Sequence, residues 1–179
     1  DPVYLKRLDC LTTTLPEETK TVSIYSLGER DALVWGNNKY LILAPTILLK
    51  KGTTSENLST ELLNHRLTLY YLSAEGDEDA NTLKLYLRYE ISGIGGSSTE
   101  ETDDKESWAS DYNVRYTNVS HVNLQPIISM YKSTHSGSEP EKVTVEYEYN
   151  NSTSSIPTIA KKQTKTVTYN LYTETSSNN

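Results

Sequence analysis

The sequence predicts an all-β fold, an immunoglobulin-like or related β-sandwich of about 7 to 9 strands with an extended N-terminal segment. In several stretches apolar and polar residues alternate, which is the pattern of a strand with one buried and one solvated face. Turn residues separate these stretches at short intervals. The chain also has 14 Tyr and no Phe. Tyrosine suits half-buried strand positions because its ring is apolar and its hydroxyl reaches water.

Two stretches, 62–73 and 82–92, are predicted to pair at the centre of the sandwich. In the second stretch the apolar positions recur at every second residue: Leu83, Leu85, Leu87, Tyr89 and Ile91. The first stretch has nearly the same spacing: Leu63, His65, Leu67, Leu69 and Tyr71. The acidic, glycine-containing link 75–79 is typical of the tip of a long β-hairpin.

Further strands are predicted along the rest of the chain, at 21–27, 32–35, 39–43, 46–49, 112–116, 122–130, 143–149 and 167–173. Gly36-Asn37-Asn38 is predicted to form a hairpin turn, because asparagine tolerates the left-handed backbone that such a turn needs. No stretch strongly predicts a helix. The longest predicted loop is 93–111, and a loop of that length is usually functional or mobile.

A chain of 179 residues is long enough for one domain with a substantial core. Pro16 separates the N-terminal stretch from the rest. We therefore predict an N-terminal extended segment, residues 1–15, followed by a single β-sandwich domain, residues 16–179. The chain begins at Asp1-Pro2 without methionine, which suggests a processed or trimmed chain.

The overall charge narrows the choice of partners. A net charge of −7 and a pI near 5.0 argue against nucleic-acid binding, which needs clustered Lys and Arg. The single cysteine, Cys10, cannot form an internal disulfide. No apolar run approaches the roughly 20 residues of a membrane-spanning helix.

The sequence offers no catalytic constellation, so we expect a protein without enzymatic activity, cofactor or metal. The acidic clusters 75–79 and 100–106 lack the ligand spacing of a calcium loop and are interpreted as solvated charge. The three histidines lack metal-ligand spacing, and His65 is interpreted as a hydrogen-bonded core residue. Cys10 has no histidine nearby in sequence, which favours a buried apolar role over that of a nucleophile.

Four asparagines precede Ser or Thr by two positions and are candidate N-glycosylation sites: Asn57, Asn118, Asn150 and Asn151. Asn57 and the adjacent pair Asn150 and Asn151 fall in predicted loops, where a glycan is tolerated. Asn118 falls at the end of a predicted strand.

The N-terminal segment is a candidate donor strand. Four of its apolar residues lie on one face at period two: Val3, Leu5, Leu11 and Leu15. Such a strand could complete the sheet of a neighbouring copy, with backbone hydrogen bonds giving continuity and alternate side chains filling pockets. The alternatives are that it is the first strand of its own domain, or a flexible tail.

In its N-terminal segment Val3 to Leu15, its strand layout and its four acceptor asparagines, the chain resembles the thread pilins of archaeal cell surfaces. The resemblance implies an immunoglobulin-like head, an N-terminal donor strand and N-linked glycans. We therefore expect a structural subunit of an extracellular surface filament that polymerises head-to-tail with copies of itself and acts in adhesion.

Two other functions fit the same architecture. A viral capsid subunit with a jelly-roll sandwich also has many strands and self-associates. A monomeric carbohydrate-binding module would stack sugars on Trp35, Trp108 or loop tyrosines. Of these, Trp108 in the long acidic loop is the preferred stacking residue.

Overall fold

The computed structural model describes residues 6–28, 32–72, 81–95, 106–152 and 156–172. Within them the strands are β1 (Lys6–Arg7), β2 (Cys10–Leu11), β3 (Ala32–Trp35), β4 (Tyr40–Leu43), β5 (Thr46–Lys50), β6 (His65–Tyr70), β7 (Thr82–Ile91), β8 (Tyr112–Thr117), β9 (Ser120–Asn123), β10 (Lys142–Asn150) and β11 (Lys162–Asn170). The α-helices are α1 (Leu58–Leu62) and α2 (Gln125–Thr134). Two short 3-10 helices cover Glu18–Lys20 and Ser107–Asp111.

The strands form three sheets around one core. The first sheet has the order β1-β9-β4-β3, the second β11-β10-β7-β6-β2, and the third pairs β5 with β8. Leu41 of the first sheet, Leu85 of the second and Leu49 of the third are fully buried in a single hydrophobic cluster. The chain is thus an all-β sandwich, as predicted, with parallel pairs among its mostly antiparallel ladders.

The predicted central pairing is present. β6 and β7 are antiparallel, with Leu69 opposite Leu87, and the alternating leucines of β7 lie in the core. The link 75–79 lies outside the described residues. Two expectations are wrong. The opposite face of β7 is not in water, since Tyr86 and Arg88 are each only 7% exposed, and Leu63, predicted on the apolar face of the first stretch, precedes β6 and is 83% exposed.

The predicted strand 122–130 is wrong beyond Asn123. There the chain enters α2, with Pro126 in the first turn. Proline suits that position because its missing N–H would have no helical partner anyway. Ile127 and Tyr131, four residues apart, face the core. A short apolar run fits a strand and a helix equally well, which is why the sequence misled here.

The predicted strand 21–27 makes only isolated bridges. Its Val22 N–H donates to the Tyr89 carbonyl at 2.7 Å and its Ile24 N–H to the Glu148 carbonyl at 2.9 Å. β7 and β10 pair directly only as far as Tyr86, so this segment fills the gap beyond that point. The prediction that Val22 and Ile24 face inward is confirmed, because both are buried.

The described part of the N-terminal segment is hydrogen-bonded into its own domain. β1 pairs in parallel with β9 at the edge of the first sheet, and β2 pairs in parallel with β6 at the edge of the second. Leu8, between them, is 5% exposed. The segment therefore crosses from one sheet to the other.

This arrangement bears on the proposed donor residues. Leu11 lies in β2, opposite Tyr70 of the same chain, and Leu15 is half-buried after it. Val3 and Leu5 lie outside the described residues. Donation of this segment to a neighbouring copy stays a prediction, and it would require the β1 and β2 pairings to break. Among the described residues, neither α-helix has the length and apolar character to cross a membrane.

Candidate functional site

The outward face of the first sheet carries exposed apolar and aromatic side chains. Directly paired residues point to the same face of a sheet. The register pairs Trp35 with Tyr40 and Tyr40 with Asn123, and in the next row Leu33, Ile42, His121 and Arg7 follow one another. We define these seven residues as the aromatic face: Arg7, Leu33, Trp35, Tyr40, Ile42, His121 and Asn123. The residues between them in sequence, such as Leu41 and Val122, point into the core.

The rings of this face are in mutual contact. Trp35 and Tyr40 stack with centroids 5.8 Å apart and an interplanar angle of 27°. His121 meets Tyr40 edge-on, at 5.9 Å and 78°. Trp35 nevertheless stays 41% exposed and Leu33 56% exposed, because β3 is an edge strand. A cluster of exposed large apolar side chains on a folded domain commonly marks a binding surface.

The β3–β4 turn positions Trp35 and Tyr40, the two stacked residues that flank it. Gly36, Asn37 and Asn38 have φ angles of 70°, 54° and 69°, in the left-handed region that glycine and asparagine tolerate best. The hairpin predicted here is confirmed. The Asn38 side chain accepts a hydrogen bond from the Tyr172 N–H and donates one to the Tyr172 carbonyl, both at 2.6 Å. These bonds fix the turn and keep Tyr172, whose side chain is exposed, beside it.

A polar groove of about 270 Å³ begins where the aromatic row ends. It lies between the β3–β4 turn and α2 and is lined by Asn37, Asn38, Gln125, Ile128, Ser129, Lys132, Glu139 and Pro140. Asn123 of the aromatic face accepts a hydrogen bond from the Gln125 N–H at 3.0 Å. Ring, amide and hydroxyl groups are thus brought together at one end of the first sheet.

Trp108, the preferred stacking residue in the sequence, is not such a platform. It is half-buried against the core and meets Tyr112 edge-on at 6.1 Å. Its Nε1 is buried without a hydrogen-bond partner in the described part of the chain. A ring held in this way has little surface left for a ligand, so Trp35 takes its place as the candidate.

The four glycosylation candidates differ in accessibility. Asn57 and Asn151 are exposed. Asn118 and Asn150 are buried, at 8% and 5% exposure, and the Asn150 amide donates to the Ile156 carbonyl at 2.9 Å. A glycan has room on the folded chain only at Asn57 and Asn151.

A hydrogen-bonded network around His65 has a structural role. Its Nε2 lies 2.6 Å from the Glu61 carboxylate and its Nδ1 lies 2.6 Å from the Tyr89 hydroxyl. Burial alone would raise the pKa of Glu61, but hydrogen bonds from His65 and from the Lys50 N–H outweigh it, and the pKa is lowered. Burial raises the pKa of Tyr89 well above its usual value. His65 is the hydrogen-bonded core histidine that the sequence predicted, and it joins α1 to the central strands.

The remaining candidate reactive groups are also engaged or shielded. Burial raises the pKa of Cys10 from 9.0 to about 12, so its thiol stays protonated and inert. The Glu106 carboxylate accepts hydrogen bonds from the Ile159 and Ala160 N–H groups, which ties down the β10–β11 connection. The acidic stretches 75–79 and 100–105 lie outside the described residues. Within the described ranges, no three His, Cys, Asp or Glu side chains come together as a metal site.

No protein-family model and no curated protein sequence matches the chain. Solved structures from Bacteroides fragilis and Parabacteroides merdae match the chain. A "putative lipoprotein" of Bacteroides fragilis superposes with a TM-score of 0.67 at 18% identity, over 94% of this chain and 71% of that one. An uncharacterised protein of Parabacteroides merdae matches with a TM-score of 0.48 at 15% identity, over 94% of this chain and 68% of that one. At such low identity the first likeness supports the β-sandwich fold alone.

Proposed function

We propose that the chain is a non-catalytic, surface-displayed β-sandwich that binds glycans on its aromatic face. The observation that carries this proposal is Trp35, which is 41% exposed on an edge strand and stacked against Tyr40. Exposing an indole to water forgoes the free energy of burying it. A ligand that covers the ring recovers that free energy.

The chemistry around Trp35 suits a sugar better than a purely apolar ligand. A pyranose ring has apolar C–H faces that pack on an aromatic ring and an equatorial rim of hydroxyls that need hydrogen-bond partners. The neighbouring groove presents Asn37, Gln125 and Ser129, whose amide and hydroxyl groups both donate and accept hydrogen bonds. An aromatic platform next to convergent polar groups is the general pattern of a ligand site.

A display outside the cell is part of this proposal. The Bacteroides fragilis protein with the same fold bears the description "putative lipoprotein", and two glycan acceptors, Asn57 and Asn151, are exposed. A filament joined by residues 1–15 is the weaker proposal, because Leu8 is buried in its own core and the strands on either side of it are already paired.

The test is a glycan-array screen of the purified chain, followed by calorimetry with the best ligand, for the native chain and for Trp35→Ala. Leu63→Ala is the control, since it removes exposed apolar surface that lies outside the aromatic face. We expect Trp35→Ala to weaken binding at least about tenfold, in the range measured for aromatic stacking partners, and Leu63→Ala to change it little. Absence of glycan binding, or equal binding by native chain and Trp35→Ala, would contradict the proposal.

A further inference from the structure

We infer that the glycan bound by this face is anionic, carrying carboxylate or sulfate groups. This inference rests on the proposed function and goes further by naming the charge of the ligand. It comes from the distribution of charge on the first sheet, which is opposite in sign to that of the chain as a whole.

The aromatic face has basic groups and no acid. The chain has 24 Asp and Glu against 17 Lys and Arg, yet the seven positions of the face include Arg7 and His121 and no carboxylate. Asp9, the next acid after β1, is not among the seven positions, although it lines the same cavity as Arg7. In a protein of net charge −7, these seven positions repel an anion less than surface that carries carboxylates does.

These basic groups surround the stacked rings. The Lys39 amine lies 5.4 Å from the centre of the Tyr40 ring. His121 contacts the same tyrosine edge-on, and Arg7 is the register partner of His121 in β1. A sugar seated on Trp35 and Tyr40 would therefore lie beside Lys39 and His121, with Arg7 one strand further along the sheet.

Arg7, on the face, and Lys39, beside it, have no ion pair, as is true of other exposed cations in the described ranges such as Arg66 and Lys165, whereas several cations elsewhere lie beside carboxylates. On the second sheet Lys84, Arg88 and Lys162 all lie against carboxylates, and in the polar groove Lys132 pairs with Glu139 at 3.5 Å. In the described ranges, neither Arg7 nor Lys39 forms an ion pair, and both side chains are exposed. They remain available to a carboxylate or sulfate of the ligand, with which arginine can form two parallel hydrogen bonds.

The experiment uses pairs of polysaccharides that differ only in charge. Polygalacturonate is compared with its fully methyl-esterified form, and dextran sulfate with dextran, by affinity electrophoresis and calorimetry at low and at high salt. We expect the charged member of at least one pair to bind about tenfold more tightly at low salt, with the difference shrinking as salt screens the charges. The pair that responds identifies carboxylate or sulfate as the recognised group.

Variants then assign the effect to this face. Arg7→Gln and Lys39→Gln should each weaken binding of the charged polymer about three- to tenfold, and more than they weaken binding of its neutral counterpart. The matched control is Lys165→Gln, because Lys165 is also an exposed lysine, 5.3 Å from the ring of a tyrosine, Tyr149, but lies on the second sheet. It should have no effect.

Three outcomes overturn the inference: equal binding of charged and neutral polymers, equal effects of Lys39→Gln and Lys165→Gln, or binding of the charged polymers that Trp35→Ala leaves unchanged. The first two leave glycan binding itself intact if Trp35→Ala still abolishes it. Absence of binding to any polysaccharide defeats both the inference and the proposed function.

Discussion

The outward faces of the two larger sheets differ in how far their side chains are exposed to solvent. On the second sheet the face carries Arg88, Glu146, Glu148 and Lys162, which lie against one another, and Lys162 also donates to the backbone of Glu18 and Thr21. Lys162 donates from its amine to the Thr21 carbonyl at 2.8 Å and lies 3.1 Å from Glu148. Burial lowers the pKa of Lys162 even with that carboxylate beside it.

On the first sheet the outward face carries rings instead, and no described segment of the chain covers Trp35 or Leu33. The difference teaches that alternation in sequence marks which residues share a face but not whether that face meets water. On the second sheet the charged side chains of β7 and β10 are shielded because they pair with one another. On the first sheet large apolar side chains stay exposed.

The largest expected effect on stability comes from removing Arg88, which pairs with the carboxylates of the second sheet. Arg88 lies 2.7 Å from Glu146 and 3.8 Å from Glu148, and its side chain is 8% exposed. Arg88→Ala leaves the buried Glu148 and the half-buried Glu146 with fewer partners and should lower the free energy of unfolding by about 3 kcal/mol, measured by urea denaturation. The control is Arg66→Ala, an exposed arginine on neighbouring β6, for which we expect a change within about 0.5 kcal/mol. Equal effects of the two variants on the free energy of unfolding would show that the ion pairs of Arg88 do not stabilise the fold.

A second variant tests whether the N-terminal segment belongs to its own sandwich. Leu8 is 5% exposed, between β1 and β2. Leu8→Ala should therefore destabilise the monomer by about 2 to 3 kcal/mol, from lost apolar burial and a residual cavity. A segment donated to a neighbouring copy would instead leave the stability of the isolated monomer unchanged and make assembly sensitive to the variant. Electron microscopy of the native chain and of a deletion of residues 1–15 separates these outcomes, since the filament hypothesis predicts fibres that the deletion abolishes.

An acid titration tests the network at the edge of the central strands. The folded-state pKa of Glu61 is lowered, so its contribution to stability is present above about pH 4.5 and is lost as the pH falls through the folded-state pKa. We expect the urea midpoint of the native chain to decline more steeply from about pH 5 to pH 3 than that of Glu61→Gln, which keeps a hydrogen-bond acceptor for His65 but does not titrate. Parallel curves for the two proteins would exclude a role for the Glu61 charge.

Much of the sandwich could be predicted from the sequence, because period-two alternation fixes which residues of β7 and β10 face inward. What failed depends on distant contacts. The run around Pro126 fits a strand and a helix equally well. The polar face of β7 looked solvated because the carboxylates that pair with Arg88 belong to β10, about sixty residues later in the chain.

The sequence could predict that a tryptophan would form the candidate site, but not which of the two tryptophans it would be. Both tryptophans were recognisable as stacking candidates, and Trp108 was preferred because it lies in a long polar stretch. Its burial depends on Tyr112, four residues later, and on the core behind it. The exposure of Trp35 follows from the position of β3 at a sheet edge, and strand order is not encoded in local spacing. That the described strands of the first sheet contain no Asp or Glu emerges only when β1, β3, β4 and β9 are aligned.

The smallest expected effect on stability is that of Trp35→Ala, and it decides whether the aromatic face is open. If Trp35 serves a ligand, its loss should cost the free chain only about 0.5 to 1 kcal/mol, the value of one cross-strand ring pair. Leu41, its neighbour on β4 that points into the core, is 0% exposed, and Leu41→Ala should cost about 3 kcal/mol. If Trp35→Ala destabilised the chain as much as Leu41→Ala, the indole would be part of the protein's own core. The contrast between the two sheets would then disappear, because the first would be as closed as the second.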